Sequence, residues 1–95
     1  MTTKSGPLKP DLAIPPGETL AEEIEARGMT QRELASKIGR PPQAVNEIVR
    51  GRKAITADTA LALEEALEGI SAKFWLNLQA DYDLTLARER RKRPA

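Results

Sequence analysis

The sequence predicts an all-α fold of five short helices, preceded by a flexible arm. Three observations predict it. From residue 16 onward, apolar residues recur at spacings of three and four, which places them on one face of a helix. Hydroxyl side chains suited to N-capping stand at Thr30, Thr56 and Ser71. Gly28, Gly39, Gly51 and Gly69 fall where those apolar stripes end, and glycine readily takes the left-handed conformation that closes a helix.

In chain order, residues 1–15 form the arm. Residues 1–16 hold four of the seven prolines together with Gly6, a composition that opposes regular structure. Leu8, Leu12 and Ile14 are apolar enough to pack on the body or on a partner. The body spans residues 16–87. Its first helix begins at Pro16 or Gly17 and runs to Arg27, with Leu20, Ala21 and Ile24 inward. Glu18, Glu22 and Glu23 lie in or near its first turns, where the helix dipole favours acids.

Residues 30–51, TQRELASKIGRPPQAVNEIVRG, read as two short helices joined by a tight turn. Thr30 and Glu33 form a capping box for the first, over 30–38. Leu34, Ala35 and Ile38 make its apolar face, with Ala35 small enough for a close helix crossing. Gly39 stops it. The second runs over 41–50, starting at Pro41, since proline suits a first helical turn. Val45, Ile48 and Val49 face inward, whereas Gln43, Asn46, Glu47 and Arg50 face outward. Gln and Asn can pair with an adenine edge, Arg with guanine, and Glu can accept from cytosine. A helix fits the major groove, and in a helix-turn-helix the second helix is placed there. Arg40 adds a further base-reading candidate, while Arg50, Arg52 and Lys53 are suited to phosphates. Glu47 is ambiguous: it can read cytosine or pair with Arg40 or Arg50.

A fourth helix follows the basic loop, with Thr56 as N-cap, Asp58 in its first turn and Gly69 as its stop. Ala60, Leu61, Leu63 and Leu67 give it an apolar side, a scaffold pattern with no chemistry. The fifth helix starts at Ser71, an N-cap candidate, and runs to about residue 90. It holds all three aromatic residues, and its apolar residues cover more than one face. One face closes the core. The remainder, Trp75, Leu78, Tyr82 and Leu86, is assigned to a dimer seam, since aromatics are enriched at interfaces. The competing assignment puts Phe74, Trp75 and Leu78 all in the core. Residues 88–95 are a basic tail, suited to phosphates, to an anionic partner, or only to solvent.

Composition narrows the function classes. The net charge of +1 is the sum of unlike segments: residues 29–53 hold six Arg/Lys against two Glu, net +4, while residues 54–87 are net −5. Residues 88–95 are net +4 and residues 1–28 net −2. Positive charge thus gathers on the helix pair and the tail, as a phosphate-binding surface requires. With no Cys and no His, a zinc site and the usual general base are lacking, and no cofactor or small-molecule substrate is expected. Asp81 and Asp83 do not share a helix face, so they make a poor carboxylate pair. An enzyme is the weakest reading. No apolar run approaches the roughly 20 residues of a membrane helix, and no secretory signal is visible, so the expected location is the cytoplasm.

Residues 30–51 resemble the DNA-binding core of the phage-repressor-like regulators of the XRE (Cro/C1) type. The flanking PPGETLAEEIEARGMTQRELASKIG, NEIVRGRKAITADTALALEEALEG and SAKFWLNLQADYDL are similar to the HigA (VapI-like) antitoxins. The resemblance runs from about residue 14 to residue 84, and ITADTAL and FWLNLQADYDL are its group-specific parts. It implies a five-helix phage-repressor-like domain and a homodimer on a palindromic operator in double-stranded DNA. It also implies neutralisation of a RelE-like, mRNA-cleaving HigB toxin. Gln31 matches a family position whose side chain contacts the DNA backbone. Pro42 departs from the polar residue of many phage repressors and leaves fewer base-reading side chains. The alternatives are a stand-alone XRE regulator with no toxin partner, and an interaction module that has lost DNA binding. The basic motif argues against the latter.

Overall fold

The computed structural model describes residues 12–92 in five helices: α1 (Pro16–Ala26), α2 (Gln31–Ile38), α3 (Pro42–Val49), α4 (Ala57–Ala66) and α5 (Ala72–Lys92). Of the predicted arm, residues 1–11 lie outside the described residues, as do residues 93–95 of the tail; residues 12–15 carry no regular structure. Among the described residues there is no strand, and no helix is long and apolar enough to cross a membrane.

The helix ends follow local chemistry. At α2 both halves of the capping box form: the Glu33 N–H donates to Thr30 Oγ1 at 3.0 Å and the Thr30 N–H to Glu33 Oε1 at 2.8 Å. Gly39 ends α2 at φ +67°, which lets the Arg40 N–H reach back to the Ala35 carbonyl at 2.9 Å. Thr56 caps α4 through the Thr59 N–H, and Ser71 Oγ accepts from the Phe74 N–H at 3.1 Å at the start of α5.

Several boundaries differ from the sequence reading. Pro41 is the N-cap of α3 rather than its first helical residue, with ψ 149°. The ring of Pro42 excludes the α region for the residue before it, so the helix starts one residue later. Helix α4 ends at Ala66, ahead of Gly69, because Leu67 leaves helical geometry with its side chain wholly buried. Helix α5 continues to Lys92, so residues 88–92 of the basic run are helical and carry a Lys92–Glu89 pair at 3.6 Å.

The core lies where α1, α2, α3 and α4 meet: Leu20 and Ile24, Leu34 and Ala35, Val45 and Ile48, then Ala60, Leu63 and Leu67. Trp75 of α5 closes it at 0% exposure, edge-on to Phe74 with ring centroids 5.3 Å apart. Its assignment to a dimer seam is therefore corrected, since a wholly enclosed side chain has no surface to offer a partner. The core holds no other aromatic side chain, so the indole is drawn in. Leu78 is half-buried against the same core, Tyr82 and Leu86 are half-buried, and Phe74 is exposed.

Trp75→Ala is expected to destabilise the fold by about 3–5 kcal/mol, a large part of a small domain's total. Thr30→Ala is expected to cost about 1 kcal/mol through loss of the cap. Urea unfolding followed by circular dichroism measures both.

Candidate nucleic-acid interface

The site is built on α3. Its buried residues, Ala44, Val45 and Ile48, fix its rotation about its own axis. That rotation turns Gln43, Asn46, Glu47 and Arg50 outward along one stripe, at spacings of three and four. Gln43, in the first turn, and Arg50, the C-cap residue, are exposed, while Asn46 and Glu47 are half-buried. Arg52 and Lys53 are exposed in the loop that follows. Exposed cations thus gather at the C-terminal end of the stripe.

Polar side chains tie this surface to its neighbours. Asn46 Nδ2 donates to Gln31 Oε1 at 3.2 Å, linking the middle of α3 to the first residue of α2. Each amide keeps a second donor or acceptor for a ligand. Arg40 turns elsewhere: its Nη1 donates to Thr59 Oγ1 at 2.8 Å, and Thr59 is 2% exposed. Arg40 is therefore half-buried against α4 rather than extended along the stripe. Among the described residues no ion pair joins Glu47 to Arg40 or Arg50. The Glu47 carbonyl instead accepts from the Arg52 and Lys53 N–H groups, at 2.8 and 3.2 Å, which folds the loop back on α3.

Sequence reading missed Gly17. The first turn of α1 lies so close to the last turn of α3 that a Cβ at Gly17 would overlap the Ile48 carbonyl oxygen and sit 2.7 Å from Val49 Cα. Only glycine fits there, and the contact sets where α3 stands on the body. The signal available was a glycine inside a helix, where it costs about 1 kcal/mol relative to alanine. Thr59, the partner of Arg40, carried no signal beyond its role in a helix start.

The stripe is a convex ridge. An open cleft of about 430 Å³ lies beside α2, lined by Arg27, Gly28, Met29, Glu33, Ser36 and Lys37, and shares no residue with it. Small ligands favour concave pockets, whereas a projecting helix with amide and guanidinium groups suits a groove. Fold and surface define a helix-turn-helix domain whose second helix turns a polar stripe to solvent, with exposed Arg50, Arg52 and Lys53 just past its end.

Comparison with known proteins agrees. A helix-turn-helix family model matches residues 20–75. Virulence-associated protein I of Dichelobacter nodosus is 45% identical over 78 residues, covering 81% of this chain and 71% of that protein. The structure of a HigA-family addiction module antidote protein from Coxiella burnetii superposes with a TM-score of 0.76 at 42% identity, over 82% of this chain and 85% of the other. Pseudomonas aeruginosa antitoxin HigA, solved with the higBA promoter, superposes with a TM-score of 0.78 at 35% identity, over 83% and 86%. The chain belongs to the helix-turn-helix family, in its HigA antitoxin branch.

Gly17→Ala is expected to push α1 off α3 and cost about 1–3 kcal/mol, as overpacking does. Urea unfolding gives the loss of stability. DNA binding, measured well below the unfolding midpoint, is expected to weaken as α3 shifts.

Proposed function

We propose that this chain is a sequence-specific DNA-binding repressor that also serves as an antitoxin. The observation that carries the DNA-binding half is the outward stripe of α3, flanked by exposed cations and borne on a helix-turn-helix. Helix α3 enters the major groove with Gln43, Asn46, Glu47 and Arg50 against base edges. Gln31, Arg52 and Lys53 hold phosphates and set the register. Arg40, bound to Thr59, contributes from the flank, and its remaining guanidinium donors suit the backbone better than a base.

Two copies are needed to read a palindrome, because each recognition helix covers one half-site. The dimer seam is assigned to the outer part of α5, with Tyr82 and Leu86 joined by the inner Leu78. Of the 21 residues of α5 only Trp75 is buried, and Leu84 beyond the core is 50% exposed. The antitoxin half rests on likeness to HigA proteins. In this reading the partner is a RelE-like, mRNA-cleaving HigB toxin, and the protein works in the cytoplasm on its own operon.

Gentle pull-down from the native source, with mass spectrometry, tests the partner. A small basic protein, encoded next door and toxic when expressed alone, is the expected result; recovery of DNA alone leaves a stand-alone regulator. DNA binding is expected to fall steeply with salt, with a log–log slope of about 0.9 per phosphate neutralised. A flat salt response overturns the phosphate contacts. Gln43→Ala and Arg50→Ala are each expected to cost about 1–3 kcal/mol on operator and much less on random DNA. Equal losses on both duplexes make the residue a backbone contact.

A further inference from the structure

The loop between α3 and α4 is held at two points. At its start, the Glu47 carbonyl accepts from the Arg52 and Lys53 N–H groups. At its end, the N–H of buried Ile55 donates to Gln79 Oε1, a side chain of α5, at 2.8 Å. Gln79 is itself oriented: its Nε2 donates to Asp83 Oδ1, one turn further along α5, at 3.0 Å. An amide whose nitrogen is held in this way must present its oxygen to the loop. The first anchor holds the backbone of Arg52 and Lys53, and Ala54 joins it to the second; all three residues are exposed.

We propose that Gln79 is a positioning residue for DNA binding: through the Ile55 N–H, and with its amide aimed by Asp83, it holds the 52–54 segment in the shape that presents Arg52 and Lys53 to phosphates. This rests on the reading of those two cations as phosphate contacts. The backbone of a three-residue segment pinned at both ends has little freedom, so the cations start from a fixed base. Without the Gln79 bond, the end of the segment is held only by the buried Ile55 side chain, about which the backbone can still turn, and the two cations lose a common direction. Ordering them on DNA then costs conformational entropy that the anchored loop has already lost on folding. The chain places this anchor on α5, the helix assigned to the dimer seam, so the loop's shape also depends on where α5 sits.

The test uses the full chain and a random-sequence DNA duplex, for which only phosphate contacts matter. Four proteins are compared: wild type, Gln79→Leu, the pair Gln79→Glu with Asp83→Asn, and the pair Arg52→Ala with Lys53→Ala. Circular dichroism checks folding in each. The Gln79→Glu, Asp83→Asn pair keeps the net charge, lets the new carboxylate accept from the Ile55 N–H, and lets the new amide donate to it. Gln79→Leu is expected to lower the salt slope by about 1–2, with no change in charge. It is also expected to speed hydrogen exchange of the Ile55 amide on the order of tenfold or more. The exchanged pair is expected to restore both. A lower slope in Arg52→Ala, Lys53→Ala beside an unchanged slope and exchange in Gln79→Leu overturns the role of Gln79 and leaves the phosphate contacts standing. An unchanged slope in Arg52→Ala, Lys53→Ala overturns the phosphate contacts themselves. Failure of the exchanged pair to recover the slope also overturns the proposal. Should Gln79→Leu not fold, wild type decides: an Ile55 amide that exchanges as fast as that of exposed Ala54 overturns it.

Discussion

The fold depends on enclosing Trp75. The chain has three aromatic residues, and only this one reaches the interior. The four shorter helices supply small and medium side chains from several directions, and these leave a gap that one indole fills. A single such side chain contributes a few kcal/mol of burial, which is comparable to the net stability of a domain this small. Placing Trp75 also fixes α5 along its length. Leu78, one turn on, then meets the core, and Gln79 meets the loop after α3.

Presentation of α3 follows from close contacts on its other side. Gly17 lets the first turn of α1 touch the backbone of its last turn, and Ala35 lets α2 cross it closely. These contacts are made of backbone and small side chains, which deform less than long ones. The polar links are of a different kind. Asn46 to Gln31 and Arg40 to Thr59 each join α3 or its turn to a neighbouring helix. They set side-chain directions at the surface more than they hold the fold, since a single hydrogen bond adds only about 1 kcal/mol net. A ridge carried by rigid contacts and aimed by polar ones suits reading of base edges, where a displacement of one ångström breaks a bidentate pair.

Charge is arranged to the same end. The net +4 of residues 29–53 lies beside a net −5 over residues 54–87. Segregation of charge along the chain gives the molecule a field that orients it as it approaches a polyanion. The basic end of α5 is helical to Lys92 and so projects from the body along the α5 axis, at a distance set by helix length rather than by a loose chain.

By itself the sequence determined most of the local structure. Thr30 with Glu33, Gly39, Thr56 and Ser71 act on neighbours within four residues, so they place helix ends without knowledge of the fold. The stripe of Gln43, Asn46, Glu47 and Arg50 was likewise legible, because helical period alone puts them together and the apolar residues opposite say which face is out. Tertiary structure decided what depends on distant neighbours. Trp75 and Tyr82 both lie on an amphipathic helix, and only the gap left by four other helices says that the first is enclosed and the second is not. Leu67 leaves its helix two residues ahead of Gly69 because the core draws it in. Gly17, the link from Arg40 to Thr59 and the reach of Gln79 to Ile55 join residues 19 or more positions apart. No local propensity encodes such pairs, since each exists only once packing has brought two surfaces together.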